Sequence, residues 1–242
     1  APSATGTNAV AIGSGAKAPS LNAIGLGNGS WARSDKTFAV FGDAQPSSIA
    51  AVAIGQGTVC SGAAALALGR DSYALAASAI SLGKGRASGA DSFAAAITNN
   101  SASYGASGAN SVAMGPTAKA SGGQGIAMGF QALASGARAF AVSNNANATG
   151  TDSLAIGRSS SASATNSVAL GYGPVSSIVG KFAYAAHALA GAGSSQTGTF
   201  VLLTSTTDAT PKALSTNNST GGTTNQIILP NNSAYAFSGT IV

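Results

Sequence analysis

Residues 110–123 read NSVAMGPTAKASGG, and residues 125–137 write nearly the same phrase again as GIAMGFQALASGA. Either phrase alone has the Val, Ala, Met and Lys content of a helix. The recurrence argues otherwise. Aligning every Φ-A-Φ-G unit, where Φ is a large apolar residue, puts the first Φ at Val10, Ile24, Phe38, Val52, Leu66, Ile80, Phe93, Val112, Ile126, Phe140, Leu154 and Val168. Successive copies are 14 residues apart, save one spacing of 13 and one of 19 on either side of Phe93. A near-constant short period is the signature of a solenoid. A helical-hairpin repeat needs more than about thirty residues, whereas one coil here has room only for two short strands and two tight turns. The coil must therefore be β. A glycine inside every such segment would also cost a helix about 1 kcal/mol per copy.

Each slot of the repeat shows where its side chain points. Two places after the first Φ comes a second large apolar residue, as in Ile12, Leu26, Ile54, Leu68, Met114, Met128, Ile156 and Leu170. The residue between them is small, as in Ala11, Gly25, Ala53, Ala67, Ala113, Ala127 and Ala155. Side chains alternate faces along a strand, so one face is large and apolar and the other tiny. The second strand sets small residues on either side of a variable slot that faces water, filled by Lys17, Trp31, Gln45, Val59, Tyr73, Ala87, Lys119, Leu133, Asn147 and Ser161. Glycines such as Gly13, Gly55 and Gly129 close the first strand, where a turn asks for positive φ. Phe41 and Ser143 take that slot in two coils, and NNSASYGASG (residues 99–108) is the one insertion, a place for a projecting loop.

Two packings satisfy the pattern. The large pair fills the lumen, or the coil is so flat that only Ala, Ser and Gly fit inside and the large stripe lies outside. The second is favoured. Such a stripe exceeds the few hundred Å² of apolar patch that a soluble monomer exposes, so another copy of the chain must cover it. The expected interface is Val10, Ile12, Ile24, Leu26, Val52, Ile54, Leu66, Leu68, Val112, Met114, Ile126, Met128, Leu154, Ile156, Val168 and Leu170. Twelve coils at about 4.8 Å each would make a rod of roughly 55 to 60 Å.

Composition agrees with an extended, uniform surface. Of 242 residues 45% are hydrophobic and only 7% charged, against about 25% charged in an ordinary soluble domain. Eleven Lys and Arg are spread thinly, with no run of the kind that marks a nucleic-acid arm. The single Cys60 excludes an intrachain disulfide and any cysteine-based zinc site. No apolar run is long enough for a helical membrane span, so no membrane insertion is expected. The first residue is Ala1, with no signal peptide in view.

The phrases NAVAIGSGAKA, AALALGRDSYA, NSVAMGPTAKASG and NSVALGYG, spread over residues 8–173, resemble the head repeat of trimeric autotransporter adhesins of the YadA type. The resemblance implies a left-handed parallel β-roll in which three chains pack their Val/Ile faces about a common axis. It would also imply a neck, a coiled-coil stalk and a membrane β-barrel anchor, none of which is seen in this chain.

After Gly173 the ruler stops. Residues 175–242 carry short β-type runs, GTFVLLT, NQIILP and AYAFSGTIV, parted by Thr/Asn/Gly-rich turns. A small antiparallel module is expected there, separate from the roll at 1–174. Because the chain ends in a strand without a polar tail, more protein is expected beyond Val242. TTDAT, NQIILP and AYAFSGTIV also resemble phrases of bacteriophage tail and fibre modules, which moves the expected setting to a virion, on a tail or capsid fibre.

Chemistry is sparse. Glycine-rich phrases such as GLGNGS and GKGRASG are frames of the repeat, and none opens a helix with the residues a phosphate loop needs. A carbohydrate-cleaving spike needs paired carboxylates, and Asp35 with Asp43 is the one close pair. Asp91 and Asp152 stand where Asn110 and Asn166 stand in other coils, which fits turn capping. His187 has no second histidine beside it, and Cys60 fills a slot otherwise held by alanine. Arg70, Lys84 and Arg158 share the slot after the strand-ending glycine, either as a solvated set that keeps the rod soluble or as an attraction for anionic glycan or lipopolysaccharide. Trp31, Tyr73 and Leu133 occupy the outward slot, where aromatic rings can stack on sugars or pack against protein.

The expectation is an all-β, non-enzymatic, homotrimeric fibre segment of a phage virion that supports host attachment, without cofactor, metal or nucleic acid. The alternatives are the head of a bacterial trimeric adhesin at the cell surface and a carbohydrate-cleaving tailspike. Other virion proteins and a host-surface glycan are the expected partners.

Overall fold

A computed structural model describes residues 1–98, 101–227, 236, 238 and 239. Its described residues contain no helix. The chain winds as a parallel β-solenoid of two ladders. The first holds the Φ-A-Φ strands, thirteen in parallel order from Val10–Ile12 to Phe182–Ala185, closed by one antiparallel strand, Thr197–Thr199. The second holds the two-residue strands from Gln45–Pro46 to Val175–Ser176. Toward the N-terminus the same row continues as Ser3–Ala4 paired to Lys17–Ala18, with Lys17 bridging to Trp31.

Register is strict from coil to coil. Val112 pairs with Ile126, Ala113 with Ala127 and Met114 with Met128, so like residues stack on like. The small residues point into the lumen: Ala39, Ala53, Ala67, Ala94, Ala113, Ala127, Ala141, Ala155 and Ala169 are all fully buried. Facing them from the short strands are Ala18, Ala32, Cys60, Ala74, Ala106, Ala120, Ala134, Ala148 and Ala162, equally buried. The core is thus a column of methyl groups. The large residues lie outside it, with Ile12 at 62%, Leu68 at 41% and both methionines at 37% exposed. Of the two packings open to the sequence, the structure adopts the flat coil with its apolar stripe on the outer face.

Buried hydroxyls close the turns. Ser111 Oγ donates to the Gly108 carbonyl at 2.6 Å, Ser153 Oγ to Gly150 at 2.7 Å and Ser167 Oγ to Ala164 at 2.7 Å. On the other side of the coil Thr58 Oγ1 and Ser160 Oγ do the same to Gly55 and Gly157. A hydroxyl is therefore tolerated in a methyl column because a carbonyl three residues back accepts its hydrogen bond.

The turns also explain the repeat's punctuation. The position two before each first Φ is left-handed throughout, with φ of 54° at Asn110, 53° at Asp91, 55° at Asp152 and 54° at Asn166. Asn and Asp adopt this region most easily among residues with a Cβ, which accounts for both aspartates. After the strand, Gly129 stands at φ 125°, and a Cβ there would come within 2.7 Å of the Ser143 carbonyl oxygen of the next coil. Ser143 itself holds φ 108° in that slot.

Three expectations need correction. The roll has a thirteenth coil, running past residue 174: Val168 pairs with Phe182 and Ser161 with Val175. The sequence hid it because Phe182–Ala185 reads FAYA, with Ala185 where the glycine should be. Ala87 does not face water; it is fully buried, paired with Ala74, and the outward slot of that coil is Arg86, paired with Tyr73. The missing residue of the 13-residue coil falls in the turn between Leu82 and Arg86, which shifts the register by one. The small antiparallel element expected at the C-terminus is present: Thr197–Thr199 pairs antiparallel with Phe182–Tyr184 on the roll's own sheet, and among the described residues a Leu203–Ser215 bridge follows it. No strand forms over Asn225–Ile227, the described part of NQIILP, and AYAFSGTIV lies outside the described residues except for Ala236, Ser238 and Gly239.

The C-terminal end of the solenoid is sealed. Both ladders would leave unpaired backbone groups at Val175 and Phe182, the kind of edge that templates aggregation. Thr197–Thr199 pairs with Phe182–Tyr184 across one edge. On the other edge Gln196 imitates a further strand: its Oε1 accepts the Val175 N–H at 2.7 Å and its Nε2 donates to the Val175 carbonyl at 3.0 Å. Lys181 fills the last inward slot, with its Nζ donating to the Val175 carbonyl at 2.9 Å, and burial lowers its pKa.

Candidate functional surface

The short-strand ladder presents one outward side chain per coil. In spatial order they are Lys17, Trp31, Gln45, Val59, Tyr73, Arg86, Gly105, Lys119, Leu133, Asn147, Ser161 and Val175. Trp31, Tyr73 and Leu133 are all on this face and all half-buried. They do not meet. Three rungs part Trp31 from Tyr73 and four part Tyr73 from Leu133, which at about 4.8 Å per rung is roughly 14 and 19 Å.

Each of the three has its own neighbours. The Arg33 guanidinium lies 3.9 Å and the Lys17 ammonium 4.8 Å from the Trp31 ring centre, so cation–π contacts already occupy that ring. Arg86 lies 5.9 Å from the Tyr73 ring. Leu133 forms part of a cleft with Tyr104, Thr117, Lys119, Gln131 and Asn147.

Arg70, Lys84 and Arg158 are exposed in the turns. Arg70 and Lys84 belong to successive coils, while Arg158 is several coils away. Arg70 reaches Asp71 at 3.3 Å, and Arg158 lies 5.1 Å from the Tyr172 ring. A bidentate pair joins Arg138 to Asp152 of the next coil at 2.6 and 2.8 Å, and their hydrogen bond lowers the aspartate pKa and raises that of the arginine.

Asp35 and Asp43 stand in the turns at opposite ends of Phe38–Val40, and the Asp35 carboxylate accepts the Leu21 N–H at 3.1 Å. An intervening extended strand is poor geometry for two carboxylates acting on one bond. His187 is exposed, with its ring edge-on to Tyr172 at 5.1 Å. Among the described residues no three His, Cys, Asp or Glu side chains gather in a way that could hold a metal. Burial pushes the Cys60 thiol up to about 11.

Tyr104 escaped the sequence reading. Counting back from Gly105–Ala106, which pairs with Lys119–Ala120, puts Tyr104 in the slot held one coil later by Ala118. An aromatic ring cannot enter a lumen lined by methyl groups, so Tyr104 packs against the core from the side, half-buried. Ile97 of the same enlarged coil goes in instead and is fully buried.

A two-ladder parallel coil, a lumen of alanine and an apolar outer stripe define an adhesin-like fibre segment. The model of the YadA head domain repeat (2 copies) matches residues 4–30, 106–132, 120–142 and 148–173. The matched stretches support a YadA-type β-roll head, and the coils between them continue the same ladders. Heads of this type are trimeric structural adhesins, and the repeat points to a bacterial cell surface. No curated protein matches the chain.

Proposed function

We propose that the chain is a homotrimeric, non-enzymatic attachment segment, in which three rolls pack their Φ-A-Φ faces together and turn their short-strand faces outward. The carrying observation is the outer stripe: all sixteen positions expected at the interface lie on one face and none is in the lumen. Stacked coils supply stiffness, and threefold repetition turns weak surface contacts into avidity. The residues offered to a host surface are Trp31, Tyr73, Leu133, Arg70, Lys84 and Arg158, with a surface glycan or lipopolysaccharide as the partner.

The match to the head repeat supports a bacterial cell-surface adhesin as the carrier. The phage-like phrases TTDAT, NQIILP and AYAFSGTIV support a virion fibre, with other virion proteins as neighbours. Light scattering of the full chain tests the assembly common to both. Three times 22.9 kDa is the expected mass. The double substitution Met114→Glu and Met128→Glu should then reduce it to one chain, since it would bring six carboxylates to a shared seam. A parent protein that runs at one chain's mass refutes the trimer.

A further inference from the structure

The enlarged coil changes the outward row. It removes one rung from the outward row, because Gly105 has no side chain to set between Arg86 and Lys119. Nor would one fit, since Gly105 holds φ 91° and a Cβ there would run into the Arg86 carbonyl. Beside this gap stands Tyr104, and beyond it lie three successive rungs, Lys119, Leu133 and Asn147, with Thr117 and Gln131 along the turn side. Together they line a cleft of about 250 Å³.

The chemistry of the lining is mixed in a particular way. Tyr104 and Leu133 offer apolar surface to the C–H face of a sugar ring. Asn147 and Gln131 carry amides that both donate and accept, which suits vicinal hydroxyls. Lys119 is the cleft's only charge; among the described residues it pairs with no carboxylate, and no acid lines the cleft. Three rungs at about 4.8 Å span roughly 10 Å, the length of a disaccharide. Trp31 is less available to a sugar than this cleft, because Arg33 and Lys17 already lie against its ring. The cleft lies on the short-strand face, away from the apolar stripe, so trimer formation leaves it open.

We propose that the notch beside Tyr104 binds an acidic saccharide, with the carboxylate of one sugar against Lys119 and the next sugar over Leu133 beside Asn147. The site deepens the attachment reading and rests on it, since it names the partner that the outward face would meet. Threefold repetition would present three such notches at one level of the rod.

The test uses the full-length protein and two probes of equal length, a hyaluronan tetrasaccharide, which alternates uronic acid with an N-acetylated sugar, and neutral chitotetraose. Saturation-transfer NMR and titration of the Asn147 side-chain amide should show the acidic probe bound at least about tenfold more tightly. Lys119→Gln, with its circular dichroism unchanged, should erase that preference while chitotetraose binds as before. Absence of transfer to the acidic probe, equal affinity for both probes, or a preference that survives Lys119→Gln each overturns the proposal. The two readings fail separately: a trimer that ignores the acidic probe loses this site alone, and a monomer that binds it loses the trimer alone.

Discussion

Substituting Ala127 by leucine tests the central packing claim. Ala127 is fully buried, stacked between Ala113 and Ala141, and it faces a lumen whose far wall is Ala118, Ala120, Ala132 and Ala134, all buried to within 1%. Ala127→Leu puts an isobutyl group where a methyl stood, with paired ladders above and below. Overpacking a close-packed site costs roughly 1 to 3 kcal/mol. A column held in register on both sides should sit at the upper end, near about 3 kcal/mol, because neither neighbouring coil can move apart without breaking its ladder. For a chain of this size about 1 kcal/mol moves Tm by roughly 2 to 4 °C, so a drop of about 6 to 12 °C is expected by circular dichroism at 218 nm, a β-sheet band. The adjacent Met128 is 37% exposed on the outer face, and the nearly volume-conserving Met128→Leu should cost under about 1.5 kcal/mol. If Ala127→Leu melts within about 2 °C of the parent, the lumen has room for large side chains and the inside-out assignment is wrong.

Two further outcomes follow from named contacts. Burial holds the proton on Cys60 in the fold up to about 11, against an ordinary value of 9.0. The native state thus binds more protons between those values, and stability falls as pH rises through that window. The Cys60→Ala variant should lose this part of the alkaline decline in urea midpoint, and native Cys60 should resist a thiol reagent at about pH 8 until denaturant is added; an unchanged decline in the variant refutes the assignment. Gln196→Ala removes both side-chain bonds to Val175, a loss of about 1 kcal/mol at that edge. Hydrogen exchange of the Val175 amide should speed up about fivefold while Ala127 keeps its protection; equal protection at Val175 means that Gln196 does not cap the ladder.

The 14-residue ruler, the β character of the coil, the alternation of large and small slots and the role of the turn residues were all legible in the sequence. These depend on local chemistry repeated many times: strand alternation assigns faces, and left-handed turns select Gly, Asn and Asp. Even Asp91 and Asp152 could be recognised as turn residues, because Asn110 and Asn166 hold the same position. The repeat left two packings open and favoured the apolar stripe outside on the flatness of a fourteen-residue coil, but which face turns inward depends on the width of the coil. The tertiary structure decided it: the two ladders lie too close for anything larger than Ala, Ser, Thr or Cys along most of the lumen.

The departures from the ruler were equally beyond a period count. Arg86 replaced Ala87 at the surface because one residue is missing from a turn, and register is set by hydrogen bonding between coils rather than by counting. The thirteenth coil, the Gln196 cap and the Tyr104 notch arise where the pattern fails, and there a side chain's place depends on what the neighbouring coil leaves open. Periodicity therefore determined the rod and its two faces, whereas three-dimensional stacking decided where the rod ends and where the notch beside Tyr104 opens.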